Sequence, residues 1–136
     1  MKTNSDITVY NKYIDATTRS EKYQRTVVLS VAWENRKGSN ALAMGSVIAA
    51  NQANIYIPLS ERVDYLDPIE WLAAKTGKWT LQVGDVIVRG TVTDEISSSF
   101  TISDLKAKYN NVLVITSVDY MDAGSLSMHH WKVGAQ

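Results

Sequence analysis

The chain has 136 residues and a mass of 15.1 kDa, a length that fits one domain with its own hydrophobic core. Its 14 basic and 14 acidic residues balance, which argues against nucleic-acid binding through an excess of positive charge. A net charge of zero also leaves self-association unopposed by repulsion between copies. There is no cysteine, which excludes disulfide bonds and zinc sites built on thiolates.

The N-terminal residues MKTNSDIT are polar and lack the apolar run of a signal peptide. No stretch approaches the length of a transmembrane helix. We therefore expect a single domain, residues 1–136, that is made in the cytoplasm and has no membrane partner.

The first part of the chain predicts two strands by its alternation of apolar and polar residues. ITVYNKYI (7–14) predicts the first, and KYQRTVVLSVAWE (22–34) predicts a longer second strand. One buried face and one wet face are typical of an antiparallel sheet. The buried face of the second strand would consist of Val27, Leu29, Val31 and Trp33.

The segment NRKGSNALAMGSVIAANQAN (35–54) is rich in Gly, Ala, Ser and Asn and has weak periodicity. Apart from a short strand near 46–50, we interpret residues 35–53 as a long connection, and such loops are often functional in compact domains. A strand resumes at NIYIPL (54–59).

The clearest helix signal is DPIEWLAAKTG (67–77). Asp67 suits the N-cap, Pro68 suits the first helical position, and Glu70 completes a predicted capping box. The face predicted to lie against the core consists of Ile69, Leu72 and Ala73.

Two further elements follow this helix. KWTLQVGDVIVRGTVTDEI (78–96) predicts a hairpin that turns at Gly84-Asp85. FTISDLKAKYNN (100–111) predicts a second short helix, capped by Thr101 or Ser103.

The C-terminal part predicts two more strands. NVLVITSVDY (111–120) is apolar on both faces at residues 112–115, which indicates a central strand, and MHHWKV (128–133) is the last. Strands dominate without βαβ alternation, so we predict a mainly β fold: a small antiparallel β-barrel or sandwich with one or two short helices. The predicted core includes Trp33, Trp79, Leu81, Val114 and Ile115.

The adjacent His129 and His130 are the pattern that most suggests chemistry. Neighbouring side chains in a strand point to opposite faces, and a catalytic zinc usually takes three protein ligands, yet the chain has no third histidine. Asp94-Glu95 and the serines at 97–99 are interpreted as ordinary loop residues. We therefore predict no catalytic residue, no metal and no cofactor. The alternative is a small binding domain or an enzyme with a site around the two histidines.

Several segments together resemble a known family. DITVYNKYIDATTRSEKYQRTVV, the IYIP strand, LQVGDVIVRG and the closing SVDYMDAGSLSMHHWKVGA are similar to small structural proteins encoded among the head-tail joining genes of tailed phages and prophages of Gram-positive bacteria. The resemblance implies a non-enzymatic role in the virion neck: head completion, also called the stopper. Tail completion, or another minor role in the connector, is the alternative within the same class.

The resemblance also implies partners. Such proteins are typically small β-barrels that form a ring, here a hexamer or dodecamer, between portal or adaptor proteins and tail proteins. The ring surrounds packaged DNA without sequence-specific binding. In stopper barrels a long connection between early strands projects into the ring lumen, and residues 35–53 hold the matching place. The candidate lumen or interface residues are Leu42, Met44, Gly45, Val47 and Ile48.

Both ends of the chain are expected to be poorly ordered in the free protein and available for docking. These ends are Met1–Ser5 and Lys132–Gln136. The candidate docking terminus consists of Lys132, Val133 and Gly134.

Overall fold

The computed structural model describes residues 3–41, 47–58, 64–125 and 128–136, with only the backbone described for 36–41 and 47–51. The strands are β1 (Ser5–Ile14), β2 (Glu21–Ala41), β3 (Val47–Pro58), β4 (Val86–Arg89), β5 (Val112–Met121) and β6 (His130–Ala135). The helices are α1 (Pro68–Ala73) and α2 (Ile102–Lys108). The prediction of a mainly β fold with two short helices is therefore confirmed.

The strands close into an antiparallel barrel in the order β1-β2-β3-β6-β5-β4, and β4 pairs back onto β1. The barrel alternative is thus the correct one. The hairpin predicted over 78–96 is wrong, because β4 pairs with β1 and β5 instead of with the segment before it. Gly84 and Asp85 exchange backbone hydrogen bonds with Ile115, at 2.9 and 2.8 Å, which fixes the turn to β5.

The barrel interior holds one large apolar cluster. Trp33, Trp79, Leu81 and Ile115 are all buried in it, as predicted. The other members are Ile7, Val9, Val28, Val31, Ala53, Ile55, Ile57, Ile87, Leu113, Trp131, Val133 and Ala135. Inward-facing residues from all six strands therefore form the core.

A second cluster lies where α2 covers the outer surface of β4 and β5. Thr101 is the N-cap of α2 and forms a capping box with Asp104, and Leu105 is fully buried. Val112 and Val114 are half-buried against this cluster. The strand predicted to be apolar on both faces is thus central, with one face in the barrel and the other under a helix.

The predicted face of β2 is wrong in its first half because of a β-bulge. Ser5 lies opposite Val31 and Ile7 opposite Val28, so β2 carries one extra residue between these pairs. Ser30 adopts a φ of 60°, and its N–H donates to the Asp6 carboxylate at 3.0 Å. One extra residue exchanges the two faces, so Val28 is buried while Leu29 is 56% exposed.

The predicted inner face of α1 is also wrong. Asp67 occupies the N-cap position but its side chain makes no capping hydrogen bond. Ile69 and Leu72 are exposed, whereas Trp71 is fully buried and its indole N–H donates to the Lys78 carbonyl at 3.1 Å. A helix of six residues buries little surface, and in α1 the buried position is occupied by the largest side chain, Trp71.

The C-terminus is an integral strand, so the expectation of a poorly ordered end is wrong. Lys132, Val133 and Gly134 lie in β6, paired with β3 on one side and β5 on the other, and Val133 is fully buried. Near the other end, the Asn4 amide bonds to the backbone of Trp33 at 2.8 and 3.1 Å. Met1 and Lys2 lie outside the described residues.

Candidate functional site

The most distinctive feature of the backbone is a two-stranded projection. β1 accompanies β2 only as far as Val31, and β6 accompanies β3 only from Ala53, yet β2 and β3 continue to pair beyond these points. Residues 36–41 and 47–52 therefore form a ribbon, here called the arm. Its outer edges have no strand partner within the described part of the chain.

The arm corrects the prediction of a long loop over residues 35–53. Small residues weaken side-chain periodicity, but strand pairing is made by the backbone and needs no particular side chain. Two of the candidate lumen residues, Val47 and Ile48, begin β3 opposite Ala41 and Asn40. The other three lie outside the described residues: Leu42, Met44 and Gly45.

A second open edge lies on β5, at the opposite end of the barrel from the arm. β4 pairs with β5 only as far as Val114, and Ile115 bonds to the turn before β4. Residues 116–121 pair with β6 alone among the described residues. Tyr120 and Met121, at the end of this edge, are 45% and 40% exposed.

A chain of aromatic rings in edge-to-face and tilted contacts joins this edge to the core. Trp79 packs on Tyr65 with ring centroids 5.1 Å apart, and Tyr65 packs on Trp131 at 4.4 Å. Trp131 in turn lies 5.4 Å from Tyr120, which contacts His129 at 6.0 Å. The exposed ring of Tyr120 is thus held in place by buried neighbours.

The two histidines do not form a common site. His129 lies 3.2 Å from the Tyr120 hydroxyl and 3.3 Å from the Gly124 carbonyl, whereas His130 lies 2.9 Å from the Met128 carbonyl. Neither is joined to a carboxylate by a hydrogen bond or ion pair in the described ranges. No group of three His, Asp or Glu side chains in those ranges is placed to hold a metal ion.

The side chains of Asp94 and Glu95 pair with different residues. Asp94 accepts hydrogen bonds from the Tyr109 hydroxyl and from Lys108, and these two contacts lower the pKa of its carboxyl. Glu95 pairs with Arg25 at 2.8 Å. Both carboxylates thus connect the segment before α2 to its surroundings, and they do not face a shared substrate position.

Asp85 is the one buried carboxylate among the described residues. It accepts hydrogen bonds from the Asn11 amide at 2.7 Å, the Lys12 backbone N–H at 3.0 Å and the Gln82 amide at 3.2 Å. Burial raises the pKa of Asp85, and these hydrogen bonds oppose the shift. Its acceptor capacity is used in holding the turn before β4 to β1. The sequence pattern does not reveal this role, and its one signal is the acidic residue directly after Gly84.

The described part of the chain forms a closed β-barrel, and the arm made by β2 and β3 projects from it. Residues 2–136 match the model of a family described as a family of unknown function (DUF6751), and the chain belongs to this family. No curated protein and no solved structure matches the chain. No helix in the described ranges is long and apolar enough to cross a membrane.

Proposed function

We propose that the chain is a structural protein of the phage neck, a head-completion or stopper protein. Its ring would join the portal–adaptor complex to the tail and help to retain packaged DNA. The observation that carries the proposal is the arm, which projects between the second and third strands of the barrel. This is the position at which the sequence resemblance implies a projection into the ring lumen.

The composition of the arm suits contact with DNA without sequence recognition. Residues 35–53 contain Arg36 and Lys37 and no acidic residue. Basic side chains attract the phosphate backbone irrespective of base sequence. Arms that converge on a ring axis would narrow the channel, and a two-stranded ribbon can swing while the barrel stays intact.

The test is a nonsense allele of the gene in the phage or prophage that encodes it. Particles made without the protein should package DNA, lose it on storage and lack tails, because the head is not closed. Heads that keep their DNA beside free, abnormal tails would favour the tail-completion alternative. Normal infectious particles would refute any neck role.

A second allele tests the arm itself. Replacing residues 38–50 by a tight turn shortens the arm but keeps the whole barrel. Purified protein should retain its melting temperature within a few degrees. Virions made with it should lose DNA faster than wild type, whereas unchanged DNA retention would remove the lumen role from the arm.

A further inference from the structure

We propose that residues 36–41 of the arm add as an extra strand to the open edge of β5, residues 116–121, in a second copy of this chain. Copies would then join head to tail, with the arm of each on the β5 edge of the next. The inference rests on the proposed ring for its biological setting, whereas the contact itself can be tested on purified protein.

The positions of the two edges favour this arrangement. The arm leaves the barrel after the Asn35–Ala53 pair, beside the C-terminal end of β6, whereas residues 116–121 run toward the other end of the barrel. A donor edge at one end and an acceptor edge at the other make a heterologous contact. Such a contact generates a closed ring when its rotation closes.

The lengths of the two edges also match. Each comprises six residues, 36–41 and 116–121, and spans about 20 Å at roughly 3.3 Å per residue. Neither segment contains proline, which would remove a backbone donor and protect an edge from pairing. Both edges are therefore chemically competent for strand addition.

Charge selects the β2 edge of the arm over its β3 edge as the partner. Arg36 and Lys37 begin the β2 edge, while residues 47–52 carry no charge. The acceptor edge carries Asp119, and Asp122 follows it; both are exposed. Opposite charges on the two edges favour their pairing and disfavour pairing of either edge with its own kind.

The exposed aromatic side chain supplies an apolar contact beside these charges. Tyr120 is partly exposed and rests on the buried Trp131. A strand added to β5 would cover part of this ring together with Met121. An exposed sheet edge with apolar side chains is a site of association in general.

The decisive experiment uses the absence of cysteine from the natural chain. Lys37→Cys and Asp119→Cys are made as separate variants, mixed, and treated with a short bis-maleimide. A covalent dimer containing one of each chain is expected. The matched control mixes Lys106→Cys, an exposed lysine on α2, with Asp119→Cys. A yield no higher than in this control overturns the inference.

Charge reversal tests the same contact without a cross-linker. Lys37→Glu or Asp119→Lys should each weaken self-association by about two- to fivefold, as expected for one partly exposed ion pair. The double variant should restore it, and Lys106→Glu should have no effect. Because Asp119 lies opposite Lys132 within its own copy, melting temperatures must show that each variant folds. Failure of the double variant to restore association counts against the contact.

The contact and the neck function can fail separately. Cross-linked arm–β5 dimers together with virions that lack the protein would refute the neck function and leave the contact standing. A neck ring in virions, with cross-linking at the control level, would refute the contact alone.

Discussion

Trp33→Ala tests whether the barrel interior is the main source of stability. Trp33 is 4% exposed, and its indole N–H donates to the Asn35 side-chain oxygen at 2.8 Å. Burial of about 150–250 Å² at roughly 25 cal/mol per Å² corresponds to about 4–6 kcal/mol. Because the cavity partly collapses, we expect the free energy of unfolding to fall by about 3–5 kcal/mol.

The assay is urea unfolding followed by circular dichroism, with the slope against denaturant checked for two-state behaviour. Leu29→Ala is the matched control, since both residues were placed on the same face of β2 by sequence alternation. Leu29 is 56% exposed because the bulge turns it outward, so its truncation should lower the free energy of unfolding by no more than about 0.5 kcal/mol. Equal losses in the two variants would refute the bulge and the assignment of faces.

Four further outcomes are expected. Asp85→Ala should lower the free energy of unfolding by about 2–3 kcal/mol, because Asn11 and its neighbours lose a charged acceptor. Urea unfolding measures this loss, and an unchanged unfolding midpoint would contradict the prediction. Lys22 and the Thr17 N–H lower the pKa of Asp15 from 3.8 to about 2. The ionised Asp15 carboxyl therefore stabilises the folded state above about pH 4, and this contribution is lost as the pH falls toward 2. Asp15→Asn should therefore flatten the acid side of a melting-temperature profile, and identical profiles would oppose this. A chelator should leave the melting temperature unchanged, and a sharp fall would reveal a metal. Amides of the arm should exchange faster than those of β6 in the free protein and slow in assembled necks; equal protection in free protein would argue against a movable arm.

The sequence predicted the elements whose local pattern agrees with their final environment. β5 carries apolar residues on both of its faces because one face lies in the barrel and the other lies under α2. Thr101 and Asp104 identify the start of α2 because the capping box is a local interaction. In such segments, tertiary structure adds little that the neighbouring residues do not already specify.

The errors occur where non-local pairing decides. The bulge near Ser30 depends on the register with β1 and on the Asp6 carboxylate, and both come from a distant part of the sequence. The arm was interpreted as a loop because its backbone pairing leaves no periodic side-chain pattern. The histidines suggested a site, but His129 lies before β6 and His130 begins it, and their side chains contact different partners.

The shortness of β4 explains why the barrel has an available edge at all. With four residues, β4 reaches neither the end of β1 nor residues 116–121 of β5. On the β1 side the Asp85 carboxylate substitutes for the missing strand, accepting the Lys12 backbone N–H at 3.0 Å. On the β5 side no described group does the same. An edge with unpaired backbone groups can pair with another chain, so the difference between the two sides favours β5 as the edge left for a partner.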